Sequence, residues 1–466
     1  MPDRPLLVLR ADAGESVGSG HLMRCVALAQ AWMARGGEVT VVAAALPERW
    51  RARVEREGIG VVAVLDNAAF LRHVEAVGPA WVALDGYQLP TGLQPETRAR
   101  GARVLVIDDH GTVGKYDADL VLDQNMGASA GAYVNRNADA SLLLGLRYVL
   151  LRREFWDATA PVDRVVDDVR SVVVSLGGAA DDRWCALAER AIDAAGLGGV
   201  TRLLHRDPTD DMAAVLARCD LALSAGGTTS YELCRMGVPS LLFAVADNQQ
   251  PVVDALVAVG AAWRAPHDED ELVADVRRLA ADADERRRLA KTASALVDGR
   301  GSRRVVTHMR SFDIVLRPAA AADAQLLFTW ANDAAVRAAS FDSAPIGWDE
   351  HLRWFDRRLQ DPDSRLFIAS DADGLIGLFR VARQGDRGEV GVSVAAERRG
   401  EGLASALIAA GSRALLTMEF VSTVDAYIKR ENEASITAFS DAGYTFEGAA
   451  DAKAPGALHY AARRDH

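Results

Sequence analysis

The sequence predicts an α/β protein with two successive parallel-sheet units and a smaller α+β domain at the C-terminal end. Three observations support this prediction. Up to Ser311, short valine, isoleucine and leucine runs alternate with helical patterns, which is typical of parallel strands covered by helices on both faces. Two of these runs lead directly into glycine-rich turns. After Ser311 the pattern changes, and two strand-like runs follow one another as a hairpin.

Length, charge and cysteine content narrow the class of protein. The 466 residues, half of them hydrophobic and a quarter charged, suit two to four globular domains. A formal net charge of −12 opposes nucleic acid or anionic lipid as the main partner. Four cysteines without paired spacing argue against disulfides and structural zinc, and no apolar stretch is long enough to span a membrane. We therefore expect a cytoplasmic location and neither a nucleic-acid nor a membrane partner.

The first unit, residues 1–155, has the pattern of a doubly wound Rossmann-like domain. The run that begins the chain is too short for a signal peptide and is interpreted as a buried strand. The predicted strands are Leu6–Leu9, Val39–Ala44, Val61–Leu65, Trp81–Leu84, Val104–Ile107 and Leu120–Leu122, and the predicted helices are Leu22–Arg35 and Glu48–Glu57.

The second unit, residues 156–311, repeats the alternation. Its predicted strands are Ser171–Leu176, Val200–Leu204, Leu221–Ser224 and Ser240–Phe243, and its predicted helices are Trp184–Ala195, Met212–Arg218, Thr229–Met236, Gln250–Val259 and Asp268–Val297. Two such units in succession resemble the GT-B architecture of nucleotide-sugar enzymes. The expected fold is therefore a GT-B-like pair of Rossmann-like domains, followed by a third domain.

The third unit, residues 312–466, has about the size of one compact domain. We expect the order β-α-α-β-β-β-α-β-α, with the last helix completing the unit. The predicted strands are Ile314–Arg317, Arg365–Ala369, Gly374–Arg383, Glu389–Val394 and Val424–Ile428, and the predicted helices are Ala321–Asn332, Trp348–Leu359, Leu403–Leu416 and Glu433–Ala442.

A glycine loop, Gly18-Ser19-Gly20, separates the first predicted strand from the first predicted helix. Glycines allow a close approach of the backbone to a ligand, and a helix N-terminus offers free N–H groups. His21 would lie at that N-terminus, where the helix dipole favours the neutral imidazole that can accept a proton from water. The alternative is a dinucleotide-type loop with an incidental histidine.

A second glycine loop, Ala225-Gly226-Gly227-Thr228, follows a predicted strand and opens a helix that contains Glu232. This arrangement can cradle a phosphate. Glu232 is suited to accept two hydrogen bonds from a ribose, and the amides of Asn248 and Gln249 can bond to a sugar or diphosphate. The alternative is a tight turn between strand and helix, capped by a threonine.

Residues 1 to about 310 resemble the UDP-sugar hydrolases of pseudaminic acid biosynthesis, which are related to the MurG-like GT-B glycosyltransferases. Arg153 departs from the family, which usually has proline there. The matching stretches, in order along the region, are Arg10-Ala11-Asp12, Gly18–Cys25, Ile107-Asp108-Asp109, Leu122–Asn125, Leu150–Phe155, Val174–Gly178, Ser224–Glu232 and Asp247–Gln249.

The resemblance implies hydrolysis of UDP-2,4-diacetamido-2,4,6-trideoxy-β-L-altropyranose to UDP and the free sugar. His21 would orient or deprotonate the attacking water, while Tyr87 and Asn248 would help to hold the sugar. The residues implied in UDP-sugar binding are Gly18, Gly20, Arg24, Gly226, Gly227, Thr228, Glu232 and Gln249. No cluster of histidine, cysteine and aspartate has metal-ligand spacing, so we expect no metal.

A third glycine motif, Arg398-Arg399-Gly400-Glu401-Gly402, lies between a predicted strand and a predicted helix. Its consecutive N–H groups can wrap a pyrophosphate, although an arginine-capped turn is the alternative. Residues 313 to about 463 resemble a GNAT acetyltransferase domain, above all the sugar N-acetyltransferase of the same pathway. The matching stretches are Leu316-Arg317, Trp330–Asp333, Val336-Arg337, His351 and Trp354-Phe355.

This second resemblance implies acetyl-CoA as a cosubstrate. The residues implied in binding it are Val394, Arg399, Gly400, Gly402, Leu403, Ala404, Asn432 and Phe439. Glu397 departs from the usual Gln or Arg, and Phe439 replaces the usual tyrosine that protonates the CoA thiolate. Since a phenyl ring has no proton to give, the acid must be another group or water. Glu389 is a candidate base for the amine proton, with an ordinary strand glutamate as the alternative.

Together the two resemblances predict a bifunctional enzyme for successive steps, which acetylates the 4-amine of a UDP-amino sugar and then removes UDP. A small-molecule nucleotide sugar is the expected partner. One alternative is a GT-B glycosyltransferase. Another is a hydrolase joined to a GNAT module that binds CoA without catalysis. The sequence leaves the sugar stereochemistry and the oligomeric state open.

Overall fold

The chain divides into two compact units, Met1–Ser302 and Arg303–His466, each described by itself below. The computed structural model describes residues 4–14, 17–158, 166–176, 182–198, 201–204, 211–418 and 421–464, with only the backbone for 201–204. The glycine pair Gly177-Gly178, part of one matching stretch, lies outside the described residues.

The first unit begins with a sheet of seven parallel strands in the order β3-β2-β1-β4-β5-β6-β7. Its strands are β1 (Leu6–Arg10), β2 (Glu38–Ala43), β3 (Gly60–Ala63), β4 (Trp81–Asp85), β5 (Arg103–Ile107), β6 (Leu120–Asp123) and β7 (Ser141–Leu144). Its helices are α1 (Gly20–Met33), α2 (Glu48–Arg56), α3 (Asn67–Val77) and α4 (Leu93–Arg98). Because β1 lies between β2 and β4, the strand order reverses beside β1, and such a reversal leaves a crevice at the carboxyl ends of the strands.

A second parallel sheet in this unit has the order β12-β11-β10-β8-β9. Its strands are β8 (Ser171–Ser175), β9 (Thr201–Leu204), β10 (Leu221–Ala225), β11 (Ser240–Phe243) and β12 (Trp263–Arg264). The helices of this part and the helix that follows are α5 (Asp182–Ile192), α6 (Met212–Leu216), α7 (Thr228–Met236), α8 (Gln250–Ala258), α9 (Glu269–Ala281), α10 (Ala283–Leu296) and α11 (Gly301–Arg310). The segment Asp268–Val297 is helical as predicted, but it forms two helices and not one. Asp282 ends α9 and caps α10 by accepting from the Glu285 amide.

The prediction of an α/β protein with parallel sheets is confirmed, while the GT-B arrangement stays a prediction. Apolar side chains explain why these segments become central strands. The residues of β4 and β6 are all buried, and Val8 and Val82 of neighbouring strands share one apolar cluster.

The second unit holds a seven-stranded sheet in the order β13-β14-β15-β16-β17-β19-β18. Its strands are β13 (Val315–Pro318), β14 (Ser364–Asp371), β15 (Gly374–Gln384), β16 (Arg387–Val394), β17 (Thr423–Lys429), β18 (Thr445–Ala449) and β19 (Ala457–Arg463). Its helices are α12 (Ala324–Ala331), α13 (Ala334–Ala339), α14 (Trp348–Gln360), α15 (Leu403–Leu416) and α16 (Glu433–Asp441). Strands β16 and β17 pair in parallel over Arg387–Glu389 and Thr423–Asp425, and the register stops there.

The prediction that the unit ends with its last helix is wrong, because β18 and β19 follow α16. Strand β19 inserts between β17 and β18 and pairs with both. Most residues of β18 are exposed, so the segment lacks the apolar alternation from which a strand is predicted. The Arg365–Ala369 and Gly374–Arg383 hairpin is confirmed as β14 and β15.

Candidate active sites

His21 lies at the crevice beside β1, as the second residue of α1. The preceding loop turns through Gly18, whose φ of 74° is a conformation that glycine adopts without a Cβ penalty. Asp85 ends β4, the strand that pairs with β1. The parallel register therefore brings these two side chains to the same edge of the sheet, and both are buried.

The imidazole of His21 is held by a carboxylate. Its Nδ1 atom lies 2.6 Å from Asp85 Oδ1 and 3.1 Å from Arg24 Nη2. Because arginine only donates hydrogen bonds and Asp85 accepts, the shorter contact places the proton on Nδ1. Nε2 is then the acceptor, which is the form that a general base requires.

Arg24 joins Asp85 to a second carboxylate. Its Nε and Nη2 donate to Asp85 at 2.6 and 2.7 Å, and its Nη1 donates to Asp109 at 3.0 and 3.1 Å. Burial favours protonation of Asp85, but the charge of Arg24 and the hydrogen bonds from Arg24 and His21 outweigh it and hold the pKa of Asp85 below its ordinary value. Asp85 therefore remains a carboxylate that can stabilise a protonated His21.

Tyr87 and Asn248 extend this network. The Tyr87 hydroxyl donates to Asp109 at 2.6 Å and accepts from Asn248 Nδ2 at 3.1 Å. Burial, then the Asp109 carboxylate, raise the pKa of Tyr87 far above its ordinary value, so it stays a neutral donor. The ring also meets the His21 ring edge to face, with centroids 4.8 Å apart. The structure thus brings together three residues that were predicted to be catalytic.

The two glycine loops of this unit face each other. A Cβ atom on Gly20 would lie 3.8 Å from Thr228 Oγ1. At Gly226 a Cβ would lie 2.4 Å from Val253, so α8 packs directly on that position, whereas at Gly227 it would meet open space. Gly227 precedes α7 without a side-chain cap on the helix, which suits a phosphate there.

Glu232 and Gln249 already have protein partners. Glu232 is buried and accepts from Arg152 Nη2 at 2.9 Å, and Gln249 Oε1 accepts from the Val245 amide at 3.2 Å. A cavity of about 290 Å³ lies at the segment that contains Gln249. It is lined by Ala244, Val245, Ala246, Asp247 and Gln250. The roles of Glu232 and Gln249 in ligand binding remain predictions.

Sequence reasoning missed the roles of Asp85, Asp109, Asn125 and Tyr231. Asn125 donates to Asp109 at 2.7 Å and to Asp123 at 2.9 Å, and it accepts from the Tyr231 hydroxyl at 2.9 Å. A signal was present, since an aspartate ends or closely follows each of three neighbouring parallel strands, β4, β5 and β6. Carboxyl ends of parallel strands meet at one edge of a sheet.

The glycine motif of the second unit forms a turn before α15. Gly400 and Gly402 have φ of 84° and 71°, and Gly402 is the N-cap of that helix. Arg399 donates to Asp333 at 2.7 Å and to the Val394 carbonyl at 3.2 Å. The turn is followed directly by Leu403, which is buried, and by Ala404. Backbone N–H groups in such a turn can bind an anion.

The other residues predicted for this unit lie on different elements. Asn432 caps α16 by accepting from the Ser435 amide at 3.1 Å. Phe439 is buried, with its ring edge-on to Tyr444 at 4.9 Å. On β16, Glu389 accepts from Lys453 Nζ at 2.5 Å. Glu389 also lines a small cavity of about 60 Å³ between α14 and strands β14, β15 and β16.

Comparison with known proteins bears on the second unit. The family model described as acetyltransferase (GNAT) domain matches residues 313–445. The chain therefore contains a C-terminal GNAT acetyltransferase domain, as the sequence predicted. No curated protein matches the chain significantly.

Two solved structures illustrate the likeness. Spermidine N-acetyltransferase from Vibrio cholerae, in complex with CoA and spermine, has 18% identity and a TM-score of 0.30, covering 33% of this chain and 96% of that one. An aminoglycoside acetyltransferase in complex with coenzyme A and kanamycin has 17% identity and a TM-score of 0.30, covering 32% of this chain and 95% of that one.

Metal-ligand clusters and membrane-spanning helices are both absent from the residues that the structure describes. No group of three or more histidine, cysteine, aspartate or glutamate side chains in the described ranges could hold a metal ion. None of the helices in the described part of the chain is both long and apolar enough to cross a membrane.

Proposed function

We propose that this chain is a bifunctional nucleotide-sugar enzyme of pseudaminic acid biosynthesis. Its GNAT domain acetylates the 4-amine of a UDP-amino sugar with acetyl-CoA. Its first unit then hydrolyses UDP-2,4-diacetamido-2,4,6-trideoxy-β-L-altropyranose to UDP and the free sugar. The observation that best supports the hydrolase is His21 held by Asp85 at the strand-order reversal, and the family match supports the transferase.

In the proposed hydrolysis, His21 Nε2 accepts a proton from the attacking water. The water oxygen bonds to the anomeric carbon, the bond from that carbon to the phosphate oxygen breaks, and UDP leaves with the electron pair. Asp85 keeps the proton on Nδ1 and stabilises the imidazolium as it forms. Tyr87, which packs on the imidazole, and Asn248, which donates to the Tyr87 hydroxyl, hold the sugar. The backbone N–H groups of Gly227 and Thr228, at the start of α7, bind the diphosphate.

In the proposed acetylation, the turn at Gly400 and Gly402 binds the pyrophosphate of acetyl-CoA. The sugar amine attacks the thioester carbonyl, so that a C–N bond forms and the C–S bond breaks. Glu389, which pairs with Lys453 before the reaction, accepts the amine proton directly or through water. Because Phe439 has no proton to give, water protonates the departing thiolate.

Product analysis tests both activities in one experiment. The full chain is incubated with the UDP-4-amino sugar and acetyl-CoA in H₂¹⁸O, without any acceptor for the sugar, and the products are analysed by mass spectrometry. We expect CoA, UDP and an N-acetylated sugar with ¹⁸O at its anomeric carbon. Label in UDP would place the attack at phosphorus, and UDP release that requires an added sugar acceptor would identify a glycosyltransferase instead.

A further inference from the structure

Arg380 of the GNAT domain lies near Glu389 but forms no ion pair with any carboxylate that the structure describes, since Glu389 pairs with Lys453. Arg380 lies on β15 opposite Gly391 of β16, lines the small cavity that Glu389 also lines, and keeps access to solvent. Among the described residues, no side chain or carbonyl accepts a hydrogen bond from its guanidinium. A cation at a cavity wall without an anion attracts one from outside.

Other cations in this part of the domain differ from Arg380 because each pairs with a carboxylate. Lys453 pairs with Glu389 at 2.5 Å, Arg387 donates to Asp425 at 2.8 Å, and Arg358 lies 3.6 Å from Asp361. The positive charge at this wall therefore exceeds the local negative charge.

The space above Gly391 in the sheet holds the guanidinium of Arg380. A Cβ atom on Gly391 would lie 2.4 Å from Arg380 Nε and 3.1 Å from its Nη2. Glycine at this position thus leaves the space in which the guanidinium lies across β16. The same strand carries Glu389 two residues earlier, on the same face, so the acid and the cation are neighbours.

We propose that Arg380 is a specificity-determining residue of the GNAT domain, which binds a phosphate group on the amine that is acetylated. The inference deepens the proposed acetyltransferase function and rests on it. A guanidinium matches phosphate with paired N–H donors. The amine end of the acceptor lies towards Glu389 and the phosphate end towards Arg380. A polycationic amine would meet the uncompensated charge of Arg380.

Steady-state acetylation by the full chain tests this inference with three acceptors: the UDP-4-amino sugar, the same amino sugar without UDP, and spermine. For Arg380→Gln we expect KM for the UDP-amino sugar to rise about tenfold or more, as loss of a charge-assisted hydrogen bond predicts. KM for acetyl-CoA and for the amino sugar without UDP should not change. Gly391→Ala, which moves the guanidinium and keeps its charge, should act in the same direction.

Arg383→Gln is the matched control, because Arg383 lies on the same strand with its guanidinium paired to Asp363. Inorganic pyrophosphate should inhibit the wild-type chain competitively against the amine, and Arg380→Gln should weaken this inhibition. An equal rise of KM for the amino sugar without UDP, unchanged pyrophosphate inhibition, or a wild-type preference for spermine would each overturn the inference. Failure to acetylate any of the three amines would instead contradict the proposed function.

Discussion

Arg24 shows how one side chain organises a site. Its guanidinium connects Asp85, which ends β4, to Asp109, which follows β5, and the two carboxylates would repel each other without it. All three guanidinium nitrogens donate hydrogen bonds to protein carboxylates, and the residue is 4% exposed. Arg24 thus keeps Asp85 ionised beneath His21, whereas its predicted contact with the UDP-sugar stays a prediction.

The His21 and Asp85 pair should act as a unit in hydrolysis. His21→Asn should lower the rate of UDP release by about 10²–10⁴, the usual loss for a general base. Asp85→Asn should also lower it, because the amide no longer fixes the proton on Nδ1. The double variant should be little slower than the slower single variant, since the two residues work together. UDP release is measured with UDP affinity as the control, and additive losses would contradict the pairing.

Asp109 should make the stability of the chain depend on pH in the acid range. Burial favours its protonation, but Arg24, Tyr87 and Asn125 outweigh burial and hold its pKa well below the ordinary value. The unfolded chain therefore binds more protons, with a carboxyl pKa of about 3.9. The stabilisation is complete above that pH and is lost as the pH falls towards the folded value.

Urea unfolding between about pH 2 and pH 7 measures this dependence. Asp109→Asn should be less stable than the wild type at neutral pH, and the difference should shrink as the solution is acidified. A constant difference over the whole range would show that the Asp109 charge does not contribute.

Gly402 should be required for acetyl-CoA and not for hydrolysis. Its φ of 71° is a conformation that valine avoids. Gly402→Val should therefore distort the turn, weaken acetyl-CoA binding and stop acetylation, while the hydrolysis of an already acetylated UDP-sugar continues. Calorimetry with acetyl-CoA measures the first effect and UDP release the second. Unchanged acetyl-CoA affinity in a folded variant would remove this turn from the binding site.

At the level of elements, the strands were predicted best where they are buried on both faces. β4 and β10 are mostly apolar and fully buried, so composition alone identifies them. Helix α3 was missed, although Asp66 caps it by accepting from the Ala69 amide and most of its residues are apolar. The contact between Asp85 and His21 depends on β4 lying beside β1. Strand order is set by tertiary packing, so it cannot be predicted from local sequence patterns.

The two glycines before α7 should respond differently to substitution. Gly226→Ala places a methyl group 2.4 Å from Val253, so α8 must shift, and such overpacking typically costs about 1–3 kcal/mol of unfolding free energy. Gly227→Ala meets open space and should leave stability unchanged while raising KM for the UDP-sugar. Thermal unfolding and steady-state hydrolysis separate the two effects, and equal stability of both variants would contradict the packing argument.

At the level of the whole molecule, the two units carry separate candidate sites. Within the second unit, Arg304 donates to the Ser440 carbonyl at 2.9 Å and Arg413 donates to the Ser311 carbonyl at 3.1 Å. The predicted domain boundary at residue 312 would remove both contacts from a GNAT fragment. The structure favours a division after Ser302.

Separated fragments test this division. Residues 303–466 should retain acetylation and 1–302 should retain hydrolysis, since each has a core of its own. A fragment of residues 313–466 should unfold at a lower temperature than 303–466 because it lacks the Arg304 and Ser311 contacts. Loss of both activities on separation, with the full chain active, would show that the units depend on each other.

The short parallel register of β16 and β17 has a consequence for handling the protein. Beyond Glu389 and Asp425 each strand keeps its other neighbour, so two strand edges face each other inside one sheet. Exposed edges are templates for intermolecular pairing and aggregation. An extended ligand with amide groups between these edges would act as a missing strand. Purification and storage with CoA should therefore slow aggregation and protect the amide hydrogens of Ala426–Lys429 and Val390–Val394 from exchange.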